Sequence, residues 1–389
     1  MNSRQTLLSV APLVLLSLAG CSSMNTPMTP PVTPAATPPS VIAQLATKTT
    51  IGSTIDVGMG AGAGDSNPYG LAIAPITAGA MTAGDLVVCN FNDGKNTPGA
   101  GTTVEDLKPV AGSMPVRIAQ DPTIAGCNSI AINPGAGNIW IAAYTANDNP
   151  ILKPSGVLAT SLSSNYMWMQ PWGQVYASPT QAAGTTTAAP QAFYITDAGD
   201  GSVVKANITS SGLVFSTIIT GIPHSVSATY GILAPAGLTY DPSSDTMYVI
   251  SSDTNSVLAF SAISTIPANG INITVSGTTT GGAYPSTTAA NFTFSGSAAT
   301  QAKVVFSGAP LNYPVSSALL YNGNLIVGNT GDNNMIEIQP STGMSVGMKS
   351  VDTGNAGAIF GIATSGTSVA TQKIYFNDDN TNSVVEISQ

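Results

Sequence analysis

Charge is scarce in this chain of 389 residues. Asp, Glu, Lys and Arg make up 7% of it, against roughly 25% in an ordinary globular protein. Ten Lys and Arg face nineteen acids, for a net charge of -9. So few basic groups cannot neutralise a phosphate backbone, which excludes nucleic acid as the partner. Electrostatic docking on anionic lipid is excluded for the same reason. Histidine occurs once, at His224, so a three-His zinc site is excluded. Any Ser-His-Asp chemistry must run through that one residue. No Gly-x-Ser-x-Gly elbow precedes it, and neither a P-loop nor a dinucleotide fingerprint is written anywhere. The three cysteines, Cys21, Cys89 and Cys127, follow no zinc spacing. Convincing helical periodicity is missing beyond the first forty residues.

What is present begins with an amino-terminal leader. Arg4 precedes a 13-residue apolar stretch, 7–19. That is short for a bilayer span and suits the core of a signal peptide. It ends in Leu18-Ala19-Gly20-Cys21, which resembles the bacterial lipobox. The resemblance implies a signal peptide over 1–20 and a lipid (diacylglyceryl with palmitate-type chains) on Cys21. Ser22 after the cysteine implies sorting to the outer membrane. Residues 22–40 hold six prolines and no charge, so 21–40 reads as a semi-rigid tether with no fold of its own.

Hydrophobic residues make up 43% of the chain, enough for a core. The last fifteen residues before the final Gln read IYFNDDNTNSVVEIS, and 247–261 read MYVISSDTNSVLAFS. Both place a Tyr second and share Thr-Asn-Ser-Val. The same apolar strand, polar turn and second strand recur at 84–93, 137–148, 191–208 and 323–338. The first strands of these copies end at Asn90, Ala143, Asp197, Ser251, Asn329 and Asp378, spaced 53, 54, 54, 78 and 49 residues apart. Upstream of most copies lies a short apolar stretch announced by Pro-x-Gly, as at 68–70, 171–173 and 235–237. Four strands per unit of about fifty residues, six times over, predicts an all-β, six-bladed β-propeller over 41–389. The last unit is one strand short. Part of 41–57 is expected to supply the missing outer strand and close the ring. The uncharged insertion within 262–301 is expected to form an extra hairpin or a loose loop.

Pro-x-Gly-apolar, then apolar-Tyr-Val-x-(Asp/Asn), then Asn-x-(Val/Ile) resembles NHL-type propeller repeats. Such a fold hosts binders and enzymes alike. Chain direction places the loops leading into each first strand, and the turns between second and third strands, on one rim. That rim is the expected ligand site. Its candidate residues are Tyr69, Trp172, Asp197, His224, Asp253 and Asp378. Trp168 is expected to pack between blades. Propellers of the gluconolactonase and paraoxonase type hold Ca²⁺ in the tunnel. The corresponding oxygen donors here would be Asn90, Asp197, Asn329 and Asp378, although turn capping accounts for the same residues. A disulfide between Cys89 and Cys127 would close a loop of about 40 residues; two buried thiols are the alternative. The functional expectation is an envelope-anchored module that binds a protein, peptide or glycan, with no resident cofactor. A calcium-dependent hydrolase or lactonase is the alternative.

Overall fold

A computed structural model describes residues 39–181, 184–185, 188–227, 231–276 and 290–389. The leader, Cys21 and most of the tether lie outside the described residues. Six antiparallel sheets follow one another along the chain. Their first strands are Ser66–Ile73, Cys127–Ile132, Pro171–Ala177, Pro235–Asp241, Pro314–Leu319 and Ile359–Ser365. Each of these packs against the first strand of the blade before and after it, and the last packs against the first. This closed circuit makes them the inner strands of a six-bladed β-propeller.

Five of the six second strands end where the repeat spacing placed them, and the one in blade 1, Leu86–Asn92, runs two residues past Asn90. Asn90, Ala143, Asp197, Ser251, Asn329 and Asp378 each pair with the residue just before the bulge of their inner strand. The sixth blade takes its outer strand from the other end of the chain. Thr47–Ser53 pairs antiparallel with Ser383–Ser388, as the missing strand required. The insertion forms a hairpin, Ile271–Ser276 with Asn291–Ser295. It leaves blade 4 and joins the outer edge of blade 3 through a parallel pairing of Ile219 with Ile271.

The repeated Thr-Asn-Ser-Val has a physical reason. Asn147, Asn255, Asn333 and Asn382, in the turns between second and third strands, all hold positive φ (49°, 46°, 53° and 48°). Asn tolerates that conformation better than most residues. There, each side-chain oxygen accepts a backbone N–H from the residue just ahead of the next blade's inner strand or, in blade 1, from that strand itself. The donors are Gln170 at 2.9 Å, Tyr313 at 2.9 Å, Ala358 at 3.0 Å and Asn67 at 2.7 Å. The last of these runs from blade 6 to blade 1, so the ring is tied by a side chain as well as by a shared strand. The same bonds put the lead-in loops and the second turns on one face, which is the expected rim. Cys89 of blade 1 and Cys127 of blade 2 form a disulfide, with Cα atoms 6.0 Å apart.

Candidate functional site

Every inner strand opens with the same irregularity. Pairing with the second strand slips just after Pro68, Cys127, Pro171, Pro235, Pro314 and Ile359. A bulge of this kind re-aims the residue that follows. Those residues are Tyr69, Asn128, Trp172, Ala236, Val315 and Phe360. After them come Gly70, Ser129, Gly173, Gly237, Ser316 and Gly361, all small. The reason is the close approach of the neighbouring blade. A Cβ on Gly173 would lie 2.2 Å from the Ala236 carbonyl oxygen, and one on Gly237 would lie 2.8 Å from that of Val315. Pro-x-Gly is thus a bulge followed by a backbone contact.

The six inner strands enclose a central cavity of about 400 Å³. Among the described residues, no Asp, Glu, His, Lys or Arg lines it. Its aromatic residues continue into an arc across four blades. Tyr69 stacks on Phe360 at 3.6 Å and on Phe91 at 4.3 Å. Phe91 meets Tyr144 edge-on at 6.1 Å, and Tyr144 meets Trp172 edge-on at 5.7 Å. Burial first, and then the nearby Asp379, raise the Tyr69 phenol well above its ordinary value. Two polar side chains in the lining have nothing to bond. Asn128 is 6% exposed, and neither its Oδ1 nor its Nδ2 has a partner. Ser316 is 7% exposed, and its Oγ has none. Gln174, by contrast, is fully engaged: its Nε2 donates to the Ser129 carbonyl at 3.0 Å and its Oε1 accepts from Asn149 at 3.0 Å.

Of the residues singled out in the sequence, Tyr69 and Trp172 stand at this cavity. Asp197, Asp253 and Asp378 do not line it. Asp197 accepts the Met169 N–H at 2.8 Å and so holds the loop leading into its own blade. Burial, with Asp200 nearby, pushes its carboxyl up to about 7. Asn90 donates to the Thr54 carbonyl at 2.9 Å and Asn329 to that of Pro310 at 2.9 Å, which is the same device in blades 1 and 5. Asp378 sits at the turn of blade 6, raised by burial and by Asp352. Among the described residues, no group of three or more His, Cys, Asp or Glu comes together that could hold a metal ion. Asp253 accepts from Ser225 Oγ at 2.7 Å, and exposed His224 lies close enough to oppose the burial that raises this carboxyl. The serine hydroxyl is therefore bonded to the carboxylate, whereas nucleophilic catalysis needs it on the base. Trp168 is buried and donates from Nε1 to the Leu162 carbonyl at 3.3 Å, as packing requires. Sequence reasoning missed Asn128, Ser316 and Phe360. They occupy the x and Gly positions of units in which Pro-x-Gly is incomplete.

A second cluster lies on blade 1, away from the cavity. The Gly-rich stretch 58–64 is part of a pinned loop. Arg117 forms an ion pair with Asp56, and Asp65 accepts the Thr102 N–H at 2.7 Å. Glu105 is fully buried beside Asp56, and neither of its oxygens meets a donor. Burial first, and then the Asp56 charge, push its carboxyl up to about 9. A proton on Glu105 also resolves the contact between the two acids, because it can be donated to Asp56. The sign follows from linkage. An unfolded Glu releases its proton near 4.5, so between there and pH 9 the native state binds one proton more. Stability is then fully present below that window and falls as pH rises through it. Glu105→Gln, which keeps the donor without the charge, should change stability little at pH 5. At pH 8 it should stabilise by on the order of 3 kcal/mol. Denaturant unfolding at both pH values checks this, and equal gains at the two would remove Glu105 as the titrating group.

With the geometry described, comparison adds the fold and little more. No family model matches the chain. No curated protein matches it in sequence. Solved structures do match. A putative gluconolactonase is 9% identical with a TM-score of 0.53, over 90% of this chain and 96% of that one. A gluconolactonase from Xanthomonas campestris is 10% identical with a TM-score of 0.52, over 83% and 86%. A chain of a nidogen/laminin complex is 13% identical with a TM-score of 0.46, over 73% and 80%. The likeness is one of fold. It agrees with the six sheets in a ring and assigns no chemistry to this chain.

Proposed function

We propose that this protein is a binding module held at the bacterial cell envelope, with its ligand site at the rim-side mouth of the central cavity. One observation carries the reading: all six blades converge on a cavity with aromatic walls and, among the described residues, no charged side chain. General acid–base chemistry needs a titratable group within reach of the reacting atom, and among the described residues this lining offers Tyr69 and Tyr176. The cavity, at about 400 Å³, matches a small ligand or a single projecting group of a larger one, since ligand pockets run roughly 300–1,000 Å³. The Leu-Ala-Gly-Cys motif supports a lipid on Cys21, and the proline-rich tether supports display away from the bilayer. The partner would then be a protein, peptide or glycan of the envelope.

The experiment is recovery of the tagged full chain from detergent-extracted envelope, with Cys21→Ser as a second arm. The expected result is a stoichiometric envelope component on the parent chain and loss of membrane fractionation in the variant. Metal analysis of the same material decides the alternative of a calcium-dependent lactonase or hydrolase. One tightly held Ca²⁺ together with turnover of a lactone, and no partner, would replace the binding-module reading.

A further inference from the structure

We infer that Asn291–Ser295, the outer edge of blade 3, pairs antiparallel with the same strand of a second copy and makes a two-fold dimer centred on Thr293. This goes beyond the ligand reading and does not depend on it. The first argument is the edge itself. Asn291–Ser295 comes last in the strand order of its sheet, after Ile271–Ser276. A strand in that place presents backbone N–H and C=O groups to whatever approaches, and proteins ordinarily blunt it with a charge or keep it very short. The outer strands of the other blades do so. Those of blades 1, 4, 5 and 6 carry Arg117, Lys303, Lys349 and Lys48, and that of blade 2, Leu158–Thr160, is three residues long. Asn291–Ser295 has neither protection, and no charged residue occurs anywhere from 262 to 301.

The second argument is self-complementarity. Asn-Phe-Thr-Phe-Ser reads nearly the same in both directions. Laid antiparallel to itself about Thr293, it sets Phe292 opposite the second copy's Phe294 on one face. On the other face Thr293 meets its own counterpart and Asn291 meets the second copy's Ser295. Aromatic pairs and Thr–Thr pairs of this kind stabilise a sheet. Phe292 and Phe294 lie on the face that packs against the core shared by blades 3 and 4, yet both stay half-buried. Their rings stack at 6.2 Å, and the second copy's pair covers the side left open.

The third argument is closure. Joining two such edges uses up both, so the assembly stops at two. A ladder of five residues a side is small beside the roughly 1,200–2,000 Å² of stable complexes. The dimer is therefore weak and reversible, with a Kd on the order of tens of micromolar.

Sedimentation equilibrium of the full chain in density-matched detergent tests this. The parent should shift from monomer toward dimer as it is concentrated through about 10–100 μM. Thr293 is exposed, so Thr293→Lys and Thr293→Asp should keep the parent's melting temperature. Each sets two like charges opposite one another and should weaken the dimer roughly tenfold or more. Mixing the two variants should restore it, because Lys then faces Asp. Thr293→Cys should cross-link two chains on mild oxidation, whereas Thr274→Cys, one strand inward, should not. A parent that stays monomeric at about 100 μM overturns the dimer. Dimers that persist in both charged variants overturn the choice of edge. Charged variants that stay monomeric when mixed overturn the axis through Thr293, and assemblies that grow beyond two overturn the closed two-fold.

Discussion

A chain lacking residues 39–53 should not form a soluble ring. Thr47–Ser53 is the outer strand of blade 6, paired with Ser383–Ser388 from Thr47 opposite Ser388 to Ser53 opposite Ser383, with one bulge between Thr50 and Gly52. Ahead of it, the turn Val41–Gln44 lays Val41 and Ile42 into the core between blades 5 and 6, with Leu45 following. Ser40 Oγ and the Ile42 N–H both donate to Glu337, at 2.7 and 3.0 Å, and Glu337 is itself buried. Burying Val41, Ile42, Leu45 and Ile51 contributes about 2 kcal/mol each. Together that rivals the whole net stability of a domain, about 5–15 kcal/mol. The deletion also uncovers a long apolar strand edge and strips a buried carboxylate of two donors. Size-exclusion chromatography and thermal unfolding should show aggregates without a cooperative transition. A monomeric deletion chain that melts cooperatively would show that the ring is closed by other means.

Replacing both Cys89 and Cys127 by Ala should lower the melting temperature by about 5 °C. The disulfide joins the second strand of blade 1 to the inner strand of blade 2, across 38 residues of sequence. In the chain-entropy account, a loop of that length stabilises by about 4 kcal/mol, through the freedom it removes from the unfolded chain. Both cysteines are fully buried. The parent chain should therefore resist reductant while folded and lose the same few degrees only after reduction in denaturant. Parallel melts of the oxidised, reduced and Ala-substituted chains check this. A melting point indifferent to all three treatments would mean that the packing of blade 1 on blade 2 alone sets that interface.

The architecture was legible because a propeller writes its blade pattern locally, once per unit. Period-2 strands, turn residues and a fifty-odd-residue rhythm give six sheets, and a last unit of three strands asks for a fourth. Even the duplicated Thr-Asn-Ser-Val pointed to a real device, although its partner, a backbone N–H in the next blade's lead-in loop, lies 58 residues away in the case of Asn255 and Tyr313. The site was legible only where the motif was complete. Tyr69 and Trp172 stood out because Pro-x-Gly frames them. Asn128, Val315, Ser316 and Phe360 occupy the equivalent places without that frame.

The acidic rim read from the sequence was divided by tertiary structure. The conspicuous Asp and Asn residues face their own turns and loops, where backbone N–H and carbonyl groups use them. The cavity itself is left to uncharged side chains. Sequence alone determined the number of blades, their order and the sharing of one sheet by the two ends, because each depends on local period and count. Which side chains meet at the axis, which polar atoms are left idle and which carboxyls share a proton depend on six distant segments arriving within a few ångströms of one another. Only the closed ring decides that.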